Sequence, residues 1–269
     1  MSQTRYRMME YRGLELREDP AREDCFRVVH QHYQRYMPTA EAPFDPTGRE
    51  GLHTLMNSEL VSLEIAAQSL VDFPDAPWEL RMTLARIAWD ETRHAGMCLA
   101  RLRAIGGFKG MFPIINHEFN VVCCFDSLAA RLTVQNRTFE AGSLDGFPHW
   151  KTFWEKQGDA ETAAVFDTIM SDEMSHARVG SEWVRRLVKE DPARALEIAR
   201  AMAFLKRAVE VGETQPGELE FEVDSTMTKQ LLALREDERR AAGFSEAEID
   251  ELRRRDRIEQ GVDSGTADR

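Results

Sequence analysis

The chain has 269 residues, of which 42% are hydrophobic and 30% charged, with a formal net charge of −12. That length can bury a sizeable core in one large domain or two small ones. The acidic balance disfavours a nucleic-acid partner, whose phosphates normally meet a basic footprint. No apolar run approaches the roughly 20 residues that cross a bilayer, so no membrane association is expected. The N-terminal stretch shows no apolar signal region. The four cysteines, Cys25, Cys98, Cys123 and Cys124, form no C-x-x-C pair and no disulfide framework. A reduced, cytoplasmic setting follows as the expectation.

In chain order the pattern is helical nearly throughout, with no alternating strand signal. A first helix is predicted over 20–36, ended by Met37-Pro38. Helix A follows over 50–71, helix B over 76–105 with Pro77 in its first turn, and helix C over 118–140. The run from Gly142 to Pro148 reads as a breaker, with a short helix after it to residue 156. Helix D starts behind Asp159, a good N-cap, and runs to about 189. Asp191-Pro192 opens another helix that reaches Val211, and an acidic loop follows over 212–223. Ser245 and Glu248 form a capping box opening a last short helix to 257. The expected organisation is an N-terminal helix and linker over 1–46, an all-α four-helix bundle over 47–211, a C-terminal extension over 212–257 and a frayed tail over 258–269.

Helices B and D each carry the same motif, Asp90-Glu91-Thr92-Arg93-His94 and Asp172-Glu173-Met174-Ser175-His176. Glu at i and His at i+3 share one face of a helix. A carboxylate and an imidazole from each of two helices make half of a carboxylate-bridged dimetal site. The corresponding residues of the two motifs stand 82 positions apart.

The other half needs one glutamate from helix A and one from helix C. Helix A offers Glu59 and Glu64, and helix C offers Glu118 and Glu140. Glu59 precedes Glu91 by 32 residues, Glu140 precedes Glu173 by 33, and the two lie 81 apart. No other pairing matches the motif offset as well, which selects Glu59 and Glu140. Their neighbours Leu55, Met56, Leu63, Leu132 and Phe139 are apolar, and an ionised carboxylate on an apolar face is costly unless paired or metal-bound. Thr133, Asn136, Met56 and Ser62 are the residues expected to line a pocket beside these ligands.

Glu59, Asp90 to His94, Glu140 and Asp172 to His176 together resemble the ferritin-like carboxylate-bridged di-iron proteins, over about residues 48–190. Within that range, Asn57 to Glu64 and Phe139 to Asp145 look closest to a ferritin-like family distantly similar to a tRNA hydroxylase and to the rubrerythrins. The resemblance implies a ferritin-like bundle holding two Fe ions, or a mixed Mn/Fe pair. Glu91 and Glu173 would bridge, Glu59 and Glu140 would be terminal ligands, and His94 and His176 would each bind one metal. Asp90 and Asp172 would accept the free imidazole N–H of the opposite motif, and Glu64 would support the site from behind.

The function expected on this basis is an O2-activating non-haem di-iron oxygenase or oxidase acting on a small organic substrate, with an external electron donor. A tRNA-modifying hydroxylase and an iron-storage or peroxide-detoxifying protein are the alternatives. The long extensions disfavour a storage cage, and an enzyme of this kind would be a monomer or a homodimer.

Overall fold

The computed structural model describes residues 7–30, 47–212 and 234–259. The described residues are all-α apart from one two-stranded hairpin. The chain divides into two compact units, one formed by Met1–Gln135 with Trp183–Glu220 and the other by Asn136–Glu182 with Phe221–Arg269.

The first unit opens with that hairpin. Strand β1 (Met8–Tyr11) pairs antiparallel with β2 (Leu14–Arg17), Tyr11 opposite Leu14 and Met8 opposite Arg17. The two-residue turn needs positive φ at both positions, and Arg12 and Gly13 supply 50° and 79°. Leu14 and Leu16, alternate residues on one face of β2, are buried. The chain then runs without helix to residue 30, tied by a parallel bridge from Val28 to Ile114. The helix expected over 20–36 therefore does not form across 20–30, and its remainder lies outside the described residues. Its apolar residues are claimed by non-local pairing, which a helical pattern cannot anticipate.

Helix α1 (Arg49–Asp72) and helix α2 (Trp78–Ala104) pack together as a hairpin, joined by Phe73 to Pro77. Arg81 donates to the carbonyls of Leu70 and Phe73 at 3.0 Å, capping the otherwise unpaired C-terminus of α1. The inward face of α2 carries Leu80, Leu84, Ile87, Glu91, His94, Cys98 and Leu102, all buried at three- and four-residue spacing. Two motif residues thus sit in the middle of an apolar stripe.

The single helix expected over 118–140 is in fact three pieces. Helix α3 (His117–Val122) stops, and α4 (Leu128–Val134) restarts behind Ser127, whose hydroxyl accepts the Ala130 N–H at 3.4 Å. Gln135–Glu140 is a π-helical segment. The chain then stays helical as α5 (Ala141–Lys156), although Gly142 to Pro148 had read as a breaker. Pro148 lacks the N–H that a helix interior uses, and each glycine costs about 1 kcal/mol relative to alanine. Against that, Leu144, Phe147, Trp150 and Trp154 form a buried stripe along α5, and their burial outweighs the local penalties.

In the second unit, α5 is accompanied by α6 (Ala160–Glu190), whose residues up to Glu182 belong there. Asp159 caps α6 as expected, accepting the Thr162 N–H at 2.9 Å. Trp150 stacks on Phe166 at 5.7 Å and Phe147 meets the same ring edge-on at 5.6 Å. Helix α7 (Arg194–Gly212) belongs to the first unit, where it packs on α3 and α4. The acidic loop expected over 212–223 falls, beyond Gly212, outside the described residues, as does the tail beyond 259.

Helix α8 (Glu236–Ala241) and helix α9 (Glu246–Glu259) complete the second unit. The Ser245–Glu248 capping box opens α9: Glu248 accepts the Ser245 N–H at 2.8 Å. Asp145 of α5 anchors this segment, accepting the Arg235 N–H at 2.8 Å and pairing with the guanidinium of Arg239. Both Asp145 and Arg239 are buried. We expect Asp145→Ala, which leaves the Arg239 charge buried without this partner, to lower the unfolding free energy by about 3 kcal/mol. Urea denaturation followed by circular dichroism measures it.

Candidate metal site

Each unit contains its own cluster of the residue types singled out by the motifs. In the first, Glu59 comes from α1 and Glu91 and His94 come from consecutive turns of α2. His94 Nδ1 lies 2.9 Å from Glu91 Oε2 and 3.1 Å from Glu59 Oε2. One donor atom from each of the three lies within 4.8 Å of the others, and all three side chains are buried.

The electrostatics of this cluster are severe. Burial pushes the Glu59 carboxyl well above the usual range; the His94 hydrogen bond opposes this, and the charge of Glu91 adds to it. Burial on its own would lower His94, but its hydrogen bonds to Glu59 and Glu91, and their charges, push it up to about 10. The cluster demands positive charge: a proton held on His94 between two carboxylates, or a cation bound by all three. Cys98, one turn beyond His94, closes the cluster on the apolar side. Its thiol is raised well above normal, first by burial and then by Glu59 and Glu91. The i+4 spacing from His94 was the signal in the sequence for Cys98.

In the second unit, Glu140 stands at the end of the π-helical segment, and Glu173 and His176 lie on α6. All three are buried. Donor atoms of Glu140 and His176 come within 4.8 Å, and His176 Nδ1 is 3.9 Å from Glu173 Oε1. The Asn136 side-chain amide donates to Glu140 Oε2 at 2.5 Å. Asn136 is held in turn by close packing against α6. A Cβ added at Gly180 would stand 2.6 Å from the Asn136 Cβ, so only glycine lets the π-helical segment approach here. A glycine in mid-helix was visible in the sequence; the contact that requires it was not.

The remaining predicted residues have identifiable surroundings. Asp90 is buried and accepts from Arg86 Nε at 2.9 Å and Arg93 Nη2 at 3.0 Å. Asp172 is half-buried on α6. The structure gives Glu64 to Arg22, which holds both carboxylate oxygens at 2.5 and 2.8 Å and also donates to Asn116 Oδ1 at 2.9 Å. Burial raises the Glu64 carboxyl while Arg22 opposes the shift. Glu118, set aside on spacing, accepts from the Gln135 amide at 2.8 Å, and that amide also reaches Ser62 Oγ at 3.1 Å. His117, the first residue of α3, is buried as well.

The fold and the clusters define an all-α protein with buried carboxylate and imidazole groups able to hold metal ions. Among the described residues, no helix is long and apolar enough to cross a membrane. The chain belongs to the family described as "Protein of unknown function (DUF455)", which it matches over residues 3–250. No curated protein and no solved structure matches it.

The proton demand of the first cluster gives a pH dependence to the metal-free chain. His94 is raised from 6.5 to about 10 on folding, so the stability it contributes is complete below 6.5 and is lost as pH rises through about 10. Glu59, raised in the folded state, has the same sign: it too favours folding at low pH and loses that contribution as pH rises. Chelator-treated protein should therefore lose denaturation free energy steadily between neutral pH and about pH 10. In His94→Ala this slope should flatten.

Proposed function

We propose that the clustered glutamates and histidines bind two metal ions, and that the chain is a dioxygen-activating oxidoreductase of the ferritin-like di-iron type. The observation that carries this reading is the duplication. Each unit buries a glutamate from one helical segment beside a Glu-x-x-His pair from another, with 81 or 82 residues between equivalents. A buried carboxylate that serves only packing is expensive, and four of them with two imidazoles form a donor set that a pair of divalent cations would neutralise.

The chemistry of the donors fits the group. Carboxylate oxygens with one imidazole per half-site suit iron or manganese better than soft, thiolate-seeking metals. When bound, a pair of iron ions supplies Lewis acidity and the electrons for reducing dioxygen. Glu59, Glu91 and His94 would be ligands in the first unit, and Glu140, Glu173 and His176 in the second. Asn136 fixes the rotamer of Glu140 through its amide. The apolar neighbours Leu84, Ile87 and Cys98 in the first unit, and Phe166 and Ile169 in the second, keep water from the ligands and leave them rigid. The substrate on this reading is a small organic molecule, oxidised at the expense of dioxygen with electrons from an external reductant.

Anaerobic loading with Fe(II) tests the reading. We expect two irons per chain, abolished in a Glu91→Ala, Glu173→Ala double variant that keeps its helical circular dichroism, and rapid oxidation on exposure to O2. Fewer than one iron per chain, or bound iron that oxidises no faster than free Fe(II), would overturn it. Asn136→Ala should weaken iron binding by roughly tenfold, because the ligand loses the group that orients it. Competition with a chromophoric chelator reads that change.

A further inference from the structure

Helix α2 has a second face, opposite the one that carries Glu91 and His94, and its composition is unusual for a surface. Trp78 is 70% exposed, Met82 52% and Trp89 60%. At about 100° per residue these three side chains lie within about 40° of one another around the helix axis. Ala85 and Gly96 fall on the same stripe and are also exposed, and nothing lies within 4 Å of a Cβ built at Gly96. Two exposed indoles and a methionine stand in one row on a helix of 27 residues and are not packed away by the described residues.

The order of large and small residues along this stripe is self-complementary. Trp78 and Gly96 stand nine residues to either side of position 87, and Trp89 and Ala85 stand two residues to either side of it. An antiparallel copy of α2, related by a two-fold axis at that level, would seat each Trp78 on the other copy's Gly96. It would seat each Trp89 on the other copy's Ala85. Glu79, Arg86 and Arg93 lie on the same flank of the stripe, and the two-fold brings Glu79 of one copy within about one turn of Arg93 of the other. The Arg86 of each copy, which face one another near the axis, are each paired with their own Asp90. The two indoles and the methionine offer on the order of 500 Å² of apolar surface per copy. Counted over both copies, and with Ala85, Gly96 and the aliphatic stems of the flanking side chains adding to it, the contact approaches the roughly 1,000 Å² at which specific interfaces begin.

We propose that this face of α2 is the contact through which two copies of the chain form an isologous, antiparallel dimer. The inference is independent of the metal chemistry, since no residue of the stripe is a metal ligand. Sedimentation velocity over a range of concentrations tests it on the full chain. The wild-type chain should sediment as a dimer. Trp78→Ala, which empties a hole, and Gly96→Trp, which blocks one, should each weaken dimerisation by about tenfold or more. The double variant exchanges knob and hole and should restore the dimer. Gly96→Trp places its ring in open solvent in the monomer, so its fold is expected to survive, and circular dichroism checks this. A wild-type chain that stays monomeric overturns the proposal, as does a dimer indifferent to both single substitutions. Failure of the exchange to rescue overturns the register.

Discussion

The constraint on which this structure turns is the burial of ionisable groups inside helical apolar stripes. On α2, Glu91 and His94 take positions that the spacing of Leu80, Leu84, Ile87 and Leu102 reserves for hydrophobic side chains. On α6, Glu173 and His176 do the same between Phe166 and Ile169 on one side and Ala177 and Gly180 on the other. A helix that carries such residues inward gives up hydrophobic burial and incurs the desolvation of charge. The arrangement is tolerable only when the groups share hydrogen bonds and a positive charge. In the first unit, the 2.9 and 3.1 Å contacts of His94 show how tightly that sharing is enforced.

Much of the surrounding structure serves to hold those groups in place. Arg81 ties the end of α1 to the start of α2, so the hairpin that sets Glu59 against Glu91 has little freedom to slide. In the second unit, Arg137 of the π-helical segment donates to Ser181 at 3.2 Å, pairs with Glu248 and lies over the ring of Phe244 at 4.8 Å. These contacts clamp the segment that carries Asn136 and Glu140. A π-helical turn is a rare choice for a backbone and recurs at functional positions. Here it delivers Glu140 to a buried place while Asn136 donates to it from the preceding turn.

Several parts of this arrangement were legible in the residues. The Glu-x-x-His repeats, their offset of 82, and the apolar surroundings of Glu59 and Glu140 identify six side chains, and all six are buried. Asp159 and Ser245 announce helix starts that form where local capping chemistry puts them. Other features were hidden because they depend on partners distant in the chain. The resemblance implies a supporting role for Glu64, and only the structure shows that Arg22, 42 residues away, binds its carboxylate. The hairpin over 8–17 escaped notice because four-residue strands leave almost no periodic signal. The run from Gly142 to Pro148 reads as a breaker on propensity alone.

By itself, then, the order of amino acids determined the helical class, the capped starts at Asp159 and Ser245, and the identity of the clustered carboxylates and imidazoles. Those properties follow from local periodicity, capping chemistry and fixed spacing along one chain. Tertiary structure alone decided that α5 continues through Pro148, that helix C is interrupted, resumes as α4 and ends in a π-helical turn, and that the Asn136 amide donates to a clustered carboxylate. The reason is the same in each case. Burial of Leu144, Phe147, Trp150 and Trp154 on the second unit's core, and the close approach of Asn136 to Gly180, exist only once distant segments have come together. Their energy exceeds the roughly 1 kcal/mol per glycine and roughly 3 kcal/mol per proline that local propensity can set against them.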